Sequence, residues 1–440
     1  MTKAEALRKL AHIAAFWPAL TLAWLTPIQA LLVTFSLLLM NLLVLPRFAK
    51  VLYRPREPGL GALEIILYPA ALMACVVAFG TGKPGWYLPV TAAWFGIAFV
   101  DAFIGLACRL FPSGPTLPWN SRKPMLGVLI GTAAAMIPAA LLFKCAFLFK
   151  GSMPFHSTWT WVSLVIVAAF AETLWFGIAD NIVIPFFISV LLPLLPMTAF
   201  LMGHGWMNLI IPLGFGFGAW AAGWLTLGGA TLGALLALLL VLANPWLFAF
   251  LGGFFLLGNL ATRFGFQRKL GLGIAEARGG KRGAAEVFGA LGLAAWMTPL
   301  VHLSKGDSPS HWSHALLVCI APLVAKTMDT VSSEIGKAMS GKTISLKTLR
   351  PVPPGTKGGV SLSGSLWGLS AALALTLPIL GLGWGGPEDV GMLVLIALAA
   401  NIFESYWGEW AKPKGIDTGA HTNVLMTLVA AILGWLWWFN

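Results

Sequence analysis

The sequence predicts an all-α polytopic membrane protein with about 15 transmembrane helices arranged in two related halves. Hydrophobic residues make up 58% of the 440 residues and charged residues only 10%, whereas about 25% of the residues of a soluble domain are charged. Apolar runs of the ~17–25 residues that cross a bilayer recur along the whole chain. A polar pattern that occurs once in each half predicts the internal relationship.

The apolar runs give the predicted spans in chain order. They lie at residues 10–26, 28–46, 60–80, 87–108, 125–148, 158–177, 181–200, 206–224, 227–243, 246–264, 284–303, 313–335, 359–384, 390–407 and 421–439. The basic N-terminus resembles the charged region of a signal peptide, but no small-residue cleavage site follows, so we expect a retained first helix. The glycine-rich run 213–218 follows the first patterned half, and we place the two predicted domains at 1–205 and 206–440.

The distribution of basic residues predicts the orientation of the chain, because cytoplasmic loops of membrane proteins collect Lys and Arg. With the N-terminus inside, 23 of the 28 Lys and Arg residues fall at the N-terminus and in the inward-facing loops. We therefore expect a cytoplasmic N-terminus and cytoplasmic active sites. The net charge of +12 then reflects orientation and anionic lipid head groups, and we expect no nucleic-acid partner.

The repeated polar pattern consists of an aspartate, a lysine in a basic loop, and a glutamate. In the first half Lys123 follows Asp101 by 22 residues, and Glu172 follows Lys123 by 49. In the second half the separations between the corresponding residues are 28 and 47. The second-half residues are Asp329 with Glu334, Lys357, and Glu404 followed by Asp417 and Asn423. This agreement predicts two related catalytic units in one membrane chain.

The residue types in this pattern point to phosphoryl or nucleotidyl transfer. An ionisable residue within a membrane segment is costly to insert and usually marks a functional site. Carboxylates bind Mg²⁺, and Lys, Arg and glycine-rich backbone neutralise phosphate charge. The candidate catalytic residues are Asp101, Lys123, Glu172, Asp329, Glu334 and Lys357. The candidate metal ligands are Asp101, Asp180, Asp329 and Glu404. The candidate nucleotide- or phosphate-binding residues are Asn120, Arg122, Gly127, Arg278, Lys281, Arg282, Arg350, Gly355, Thr356, Gly358 and Gly359.

A simpler interpretation stays open for the same residues. Each carboxylate is then a buried hydrogen-bonding group between helices, and the segment 278–282 is an ordinary positively charged cytoplasmic loop.

Several motifs of the first half resemble those of the phytol kinase and dolichol kinase family, relatives of phosphatidate cytidylyltransferase. The motifs are Arg8-Lys-Leu-Ala-His12, Asp101-Ala-Phe-Ile-Gly105, Leu117-Pro-Trp-Asn-Ser-Arg-Lys123-Pro-Met-Leu-Gly127 and Asp180-Asn-Ile-Val-Ile-Pro185. The second half resembles the membrane family that contains plant phytyl-phosphate kinase. The motifs there are Gly228-Gly-Ala-Thr-Leu-Gly233, Gly258-Asn-Leu-Ala-Thr-Arg-Phe-Gly265, Asp329-Thr-Val-Ser-Ser-Glu-Ile-Gly336 and Pro354-Gly-Thr-Lys-Gly-Gly-Val-Ser361.

These resemblances imply two consecutive phosphorylations of a prenyl lipid such as phytol or geranylgeraniol. The first half would convert a prenyl alcohol to its monophosphate, and the second would convert the monophosphate to the diphosphate, as in tocopherol or quinone salvage. Families of this kind use Mg²⁺ and a nucleoside triphosphate, with CTP expected before ATP. Two alternatives remain: a CTP-dependent cytidylyltransferase acting on a lipid phosphate, and a membrane transporter, since carriers also contain internal repeats and membrane carboxylates.

Overall fold

The computed structural model describes residues 9–10, 13–44, 60–118, 120–145, 158–174, 179–191, 207–339, 342–411 and 419–439. The chain divides into two compact units, Met1–Leu201 and Met202–Asn440. Both are mainly helical, which confirms the predicted all-α polytopic class. The described residues include nine helical segments long and apolar enough to cross a membrane, together with five shorter apolar helices.

Unit 1 begins with a 3-10 helix at Trp17–Trp24 and contains seven α-helices among its described residues. They are α1 (Pro27–Leu39), α2 (Leu60–Phe79), α3 (Tyr87–Phe95), α4 (Asp101–Leu110), α5 (Met125–Cys145), α6 (Thr158–Thr173) and α7 (Asp180–Leu191). The short strands β1 (Thr116–Leu117) and β2 (Asn120–Pro124) pair antiparallel between α4 and α5. The predicted span 10–26 differs from this arrangement, because Pro18 lies in the first turn of the 3-10 helix and lacks the N–H group that an α-helix interior requires.

A π-helical turn at Gly96–Val100 joins α3 to α4 and ends directly before Asp101. Such turns insert an extra residue into a helix and occur often at functional sites. A Cβ atom at Gly96 would lie 2.1 Å from Cδ1 of Ile188. The glycine therefore lets this turn pack against α7 and brings Asp101 close to the start of that helix.

Unit 2 contains eleven α-helices among its described residues. They are α8 (Met207–Ala221), α9 (Leu227–Ala243), α10 (Pro245–Arg263), α11 (Phe266–Gly271), α12 (Ala284–Trp296), α13 (Thr298–Ser304), α14 (Pro309–Met339), α15 (Leu362–Thr376), α16 (Pro378–Leu382), α17 (Pro387–Ala411) and α18 (Ala420–Trp438). Three short strands, β3 (Thr343–Ser345), β4 (Pro351–Val352) and β5 (Gly359–Ser361), form an antiparallel sheet in the order β4-β3-β5.

Helix α14 is the centre of unit 2 and packs against α10, α12, α15, α17 and α18. Its residues 315–328 are buried on every side, as expected for a helix that is apolar around its whole circumference. At 1.5 Å per residue its 31 residues extend about 46 Å, which exceeds the ~30 Å hydrocarbon core of a bilayer. Asp329 and Glu334 lie in its last third, so the helix carries both carboxylates towards one end.

Glycines allow α15 to approach α14 closely. A Cβ atom at Gly364 would lie only 2.4 Å from the carbonyl oxygen of Ser332, and one at Gly368 would lie 2.9 Å from that of Met328. Small residues at such positions let membrane helices pack backbone to backbone.

We expect Gly364→Ala to lower the stability of the protein by about 2 kcal/mol, because the added methyl group must push α15 away from α14. Thermal unfolding of the detergent-solubilised variant measures this loss. The matched control is Gly391→Ala on α17, where a Cβ atom meets nothing within 4 Å and alanine favours the helix. Equal stability of the two variants would contradict the close contact.

Candidate active site

A polar cavity of about 440 Å³ lies in unit 2 beside the last third of α14. The predicted residues that line it are Arg278, Lys281, Arg282, Asp329, Glu334, Gly355, Thr356, Lys357, Gly358, Gly359 and Glu404. Arg350 is the exception among the second-half candidates, since it is exposed and does not line the cavity. The cavity therefore brings together predicted residues up to 126 positions apart in the sequence, from Arg278 to Glu404.

Asp329 is paired with a lysine of its own helix. Nζ of Lys326 donates to Oδ2 of Asp329 at 2.5 Å and to Oδ1 of Asn423 at 2.9 Å. Residues three apart lie on the same face of a helix, so α14 presents both charges to the cavity. Asn423 comes from the first turn of α18 and fixes the position of the ammonium group.

Lys357 and Glu404 form the second lysine–carboxylate pair of the cavity. Nζ of Lys357 donates to Oε1 of Glu404 at 2.6 Å. The alkyl chain of Lys357 crosses α17 at Gly408, where a Cβ atom would lie 2.6 Å from Cε of the lysine. Gly408 therefore makes room for the lysine to reach Glu404.

Glu334 lies in a buried network, with a lysine on each carboxylate oxygen. Nζ of Lys269 donates to Oε2 at 2.6 Å, and Nζ of Lys337 donates to Oε1 at 2.8 Å. Lys269 has no exposed surface and also donates to the carbonyl oxygens of Ala261 and Thr262 at the end of α10. Lys337 donates in addition to Glu276 at 3.2 Å. Glu334 thus links α14 to the end of α10 and to the segment that follows α11.

That segment, Glu276–Arg282, forms a basic wall of the cavity. Arg278, Gly279 and Gly280 have φ values of 55°, 66° and 85°, a left-handed turn that the two glycines adopt without strain. The chain is held at Arg282, whose N–H donates to the carbonyl of Trp224 at 3.1 Å and whose carbonyl accepts from Thr226 at 3.0 Å.

Neighbouring charges and burial shift the pKa values of Glu276 and Arg282, the first and last residues of this wall. Burial acts to raise the pKa of Glu276, but Lys337 and its neighbours outweigh this, so the pKa is below its ordinary value. Burial lowers the pKa of Arg282, while nearby carboxylates oppose the shift. Arginine remains cationic under such conditions, so the wall carries charges of both signs.

The glycine-rich loop that carries Lys357 is held against α17. Gly355 and Gly358 have φ values of 81° and 78°, which glycine adopts without strain. A Cβ atom at Gly358 would lie 2.7 Å from the carbonyl oxygen of Ser405. The hydroxyl of Thr356 donates to the carbonyl of Pro353 at 2.7 Å, so its role in this structure is to close the turn.

Unit 1 contains a compact group of three carboxylates. One oxygen each of Asp101, Glu172 and Asp180 lies within 4.8 Å of the others. Nζ of Lys9 donates to Oδ2 of Asp101 at 2.8 Å. Lys123 forms a short hydrogen bond to Oε1 of Glu172 and donates to the carbonyl of the same residue at 2.6 Å. The candidate catalytic residues Lys123 and Glu172 are therefore in direct contact.

The remaining first-half candidates lie around this group. The side chain of Asn120 donates to the carbonyl of Thr173 at 2.9 Å and accepts from the N–H of Arg122. Arg122 is exposed. Gly127 is a packing residue, since a Cβ atom there would lie 2.5 Å from Cα of Cys108.

Both units contain carboxylates of the kind that Mg²⁺ prefers as ligands. In unit 1, Oε2 of Glu172 is buried and has no hydrogen-bond partner among the described residues, as expected for an atom that faces a cation. In unit 2, Asp329 and Glu404 offer carboxylates to the cavity, each already bound to one lysine. Asp417, the following acidic residue of the pattern, lies outside the described residues.

Sequence reasoning missed four residues of unit 2: Lys326, Lys337, Glu276 and Lys269. Lys326 has a usable signal in the sequence, since it precedes Asp329 by three residues. Lys337 has the same spacing from Glu334. Nothing local marks Lys269 or Glu276, because their partners are 65 and 61 residues away.

Comparisons with known proteins match this chain mainly to membrane proteins. Residues 210–440 match the model of the family described as integral membrane protein DUF92. The uncharacterized membrane protein sll0875 of Synechocystis sp. is 37% identical over 200 residues, which cover 44% of this chain and 68% of that protein. Protein VTE6, chloroplastic, of Arabidopsis thaliana is 33% identical over 167 residues, which cover 38% of this chain and half of that protein.

A third relative, the uncharacterized membrane protein MJ0933 of Methanocaldococcus jannaschii, is 28% identical over 184 residues, or 41% of this chain and 71% of that protein. No solved structure matches the chain. The family model does not cover residues 1–209 of this chain.

Proposed function

This chain belongs to the DUF92 family of integral membrane proteins, and from that premise we propose that unit 2 is a prenyl-phosphate kinase. It transfers a phosphoryl group from a nucleoside triphosphate to a prenyl monophosphate and releases a prenyl diphosphate. Two sequence arguments support this substrate: the second-half motifs resemble the family that contains plant phytyl-phosphate kinase, and a chloroplast protein of Arabidopsis is among the relatives.

The observation that carries the proposal is the charge pattern of the cavity. Its described lining contains six basic and five acidic side chains, and the end of the central helix α14 contributes to both sets. Phosphoryl transfer needs this combination, because the reaction is catalysed mainly by positioning and by neutralising phosphate charge. A site for an uncharged substrate has no use for so many cations.

The proposed phosphoryl transfer needs no general base. An oxygen of the acceptor phosphate forms a bond to the γ-phosphorus, and the bond from that phosphorus to the β–γ bridging oxygen breaks. The nucleoside diphosphate leaves with the electron pair of that bond, and the fully ionised acceptor has no proton to lose at the attacking oxygen.

Residues of the cavity then have separate roles. Asp329 and Glu404 hold Mg²⁺, which neutralises charge on the transferred phosphoryl group when bound. Lys326 and Lys357 bind phosphate oxygens from their positions beside the two carboxylates. Glu334 is a positioning residue, because both of its oxygens hold lysines, and through Lys337 and Glu276 it orients the basic wall.

For unit 1 we propose the preceding step, phosphorylation of a prenyl alcohol. Support comes from the three carboxylates around Glu172, from the adjacent Lys9 and Lys123, and from the resemblance to the phytol and dolichol kinase family. Asp101, Glu172 and Asp180 hold Mg²⁺, and Lys123 binds phosphate. Both active sites face the cytoplasm in this proposal, where the nucleotide, with CTP preferred to ATP, is available.

Product analysis tests the proposal for unit 2. The purified full chain is incubated with geranylgeranyl monophosphate, Mg²⁺ and CTP or ATP, and the products are identified by mass spectrometry. A kinase yields geranylgeranyl diphosphate and a nucleoside diphosphate, and a chelator should stop the reaction. Release of pyrophosphate with a cytidylylated lipid would instead identify a cytidylyltransferase, and no product with either nucleotide would contradict both activities.

A further inference from the structure

Two basic walls line the unit 2 cavity: the segment Glu276–Arg282 and the glycine-rich loop that carries Lys357. They differ in how their cations are paired. Lys357 is shared with Glu404 at 2.6 Å, so that wall is close to neutral. On the wall Glu276–Arg282, Arg278 pairs with Glu286, and Glu276 pairs with Lys337. Neither Lys281 nor Arg282 has an ion-pair partner among the described residues. Two cations of this wall therefore line the cavity without a direct ion-pair partner and are available to a ligand.

The two walls also differ in the exposure of their side chains and in the apolar residues beside them. Both the wall Glu276–Arg282 and the loop with Lys357 lie just before a candidate membrane span, but the side chains of Glu276 and Arg278 are 50% and 57% exposed, whereas those of Lys357 and Glu404 are 29% and 10% exposed. The loop with Lys357 runs into α15, whose first turns begin a candidate span. There Leu362 and Leu366 are 76% and 55% exposed next to Ser365, which lines the cavity.

The two substrates of a prenyl-phosphate kinase likewise differ in charge and in solubility. A nucleoside triphosphate is soluble and carries about four negative charges, whereas a prenyl monophosphate carries at most two and is anchored in lipid by its chain. A polyphosphate is best held by unpaired cations at the more exposed side of the cavity. A lipid phosphate must arrive where apolar side chains meet the cavity.

We propose that the cavity separates its substrates, with the polyphosphate of the nucleotide on Arg278–Arg282 and the acceptor phosphate at Lys357. The proposal rests on the prenyl-phosphate kinase function. It divides residues that the sequence grouped together as phosphate-binding into a donor set and an acceptor set. The transferred group then lies between the walls, beside Asp329 at the end of α14.

Equilibrium binding tests this division without requiring turnover. The full chain in lipid nanodiscs is titrated separately with labelled CTP and with labelled geranylgeranyl monophosphate. We expect Lys281→Gln to weaken CTP binding by about tenfold, the size expected for one charge-assisted hydrogen bond, and to change monophosphate binding less than twofold. Lys357→Gln should weaken monophosphate binding by about tenfold and change CTP binding less than twofold. Lys347→Gln, an exposed lysine outside the cavity lining, is the matched control and should change neither.

Arg282→Gln is a second variant of the donor wall and should follow Lys281→Gln. If Lys281→Gln and Lys357→Gln weaken both ligands equally, the division is overturned and the kinase proposal stands. If the unaltered protein binds neither ligand, the division and the kinase proposal both fail.

Discussion

Asp329→Asn is expected to lower the conversion of prenyl monophosphate to diphosphate by about 100-fold or more, the order found when a charge-stabilising group is removed from an active site. Asparagine keeps the shape of the side chain but removes the charge that holds Mg²⁺ in the proposed mechanism. Initial rates of diphosphate formation by the purified variant, at saturating nucleotide and Mg²⁺, measure the effect.

The Asp329→Asn variant also leaves Lys326 without its carboxylate, and an unpaired buried charge is destabilising. Thermal unfolding of purified Asp329→Asn, compared with that of the unaltered protein, separates loss of folding from loss of chemistry. Glu388→Gln is the matched carboxylate control, because Glu388 is exposed at the start of α17 and does not line the cavity. An unchanged rate in Asp329→Asn would refute its assignment as a metal ligand.

Asp101→Asn is expected to block phosphorylation of the prenyl alcohol while leaving added monophosphate convertible to diphosphate. The three carboxylates of unit 1 lie close enough to share one cation, and removing one charge weakens that site. Asp329→Asn should produce the opposite defect, in which monophosphate accumulates from the alcohol. Mass spectrometry of the products from each starting lipid distinguishes the two defects.

The pair of variants has three informative outcomes. Opposite defects support two active sites working in sequence. Normal alcohol phosphorylation by Asp101→Asn would show that unit 1 has another role, and loss of both steps in either variant would show that the two steps depend on one site.

The sequence by itself determined the membrane class and the repeated order of aspartate, lysine and glutamate in the two halves. Polar residues in a strongly apolar chain are few, so a repeated order of aspartate, lysine and glutamate is conspicuous. The similar separations of 49 and 47 residues placed Lys123 with Glu172 and Lys357 with Glu404 in corresponding units, and the structure then showed that each lysine donates to its glutamate. The high cost of placing an unsatisfied charge in a bilayer explains why such residues find partners.

Other features of the sites were decided only by the tertiary structure. Lys269 reads as a loop lysine in the sequence, yet it is fully buried and bound to Glu334. Gly127 sits in a phosphate-type motif but serves the contact of α5 with α4, and Arg350 lies outside the cavity.

The physical reason is that a hydrogen bond between distant residues depends on the rotation and separation of packed helices. Those quantities follow from side-chain packing over the whole interface. Sequence spacing reports only residues that share one helix face, as Lys326 and Asp329 do. It therefore revealed which residue types would meet, while packing decided which individual residues did.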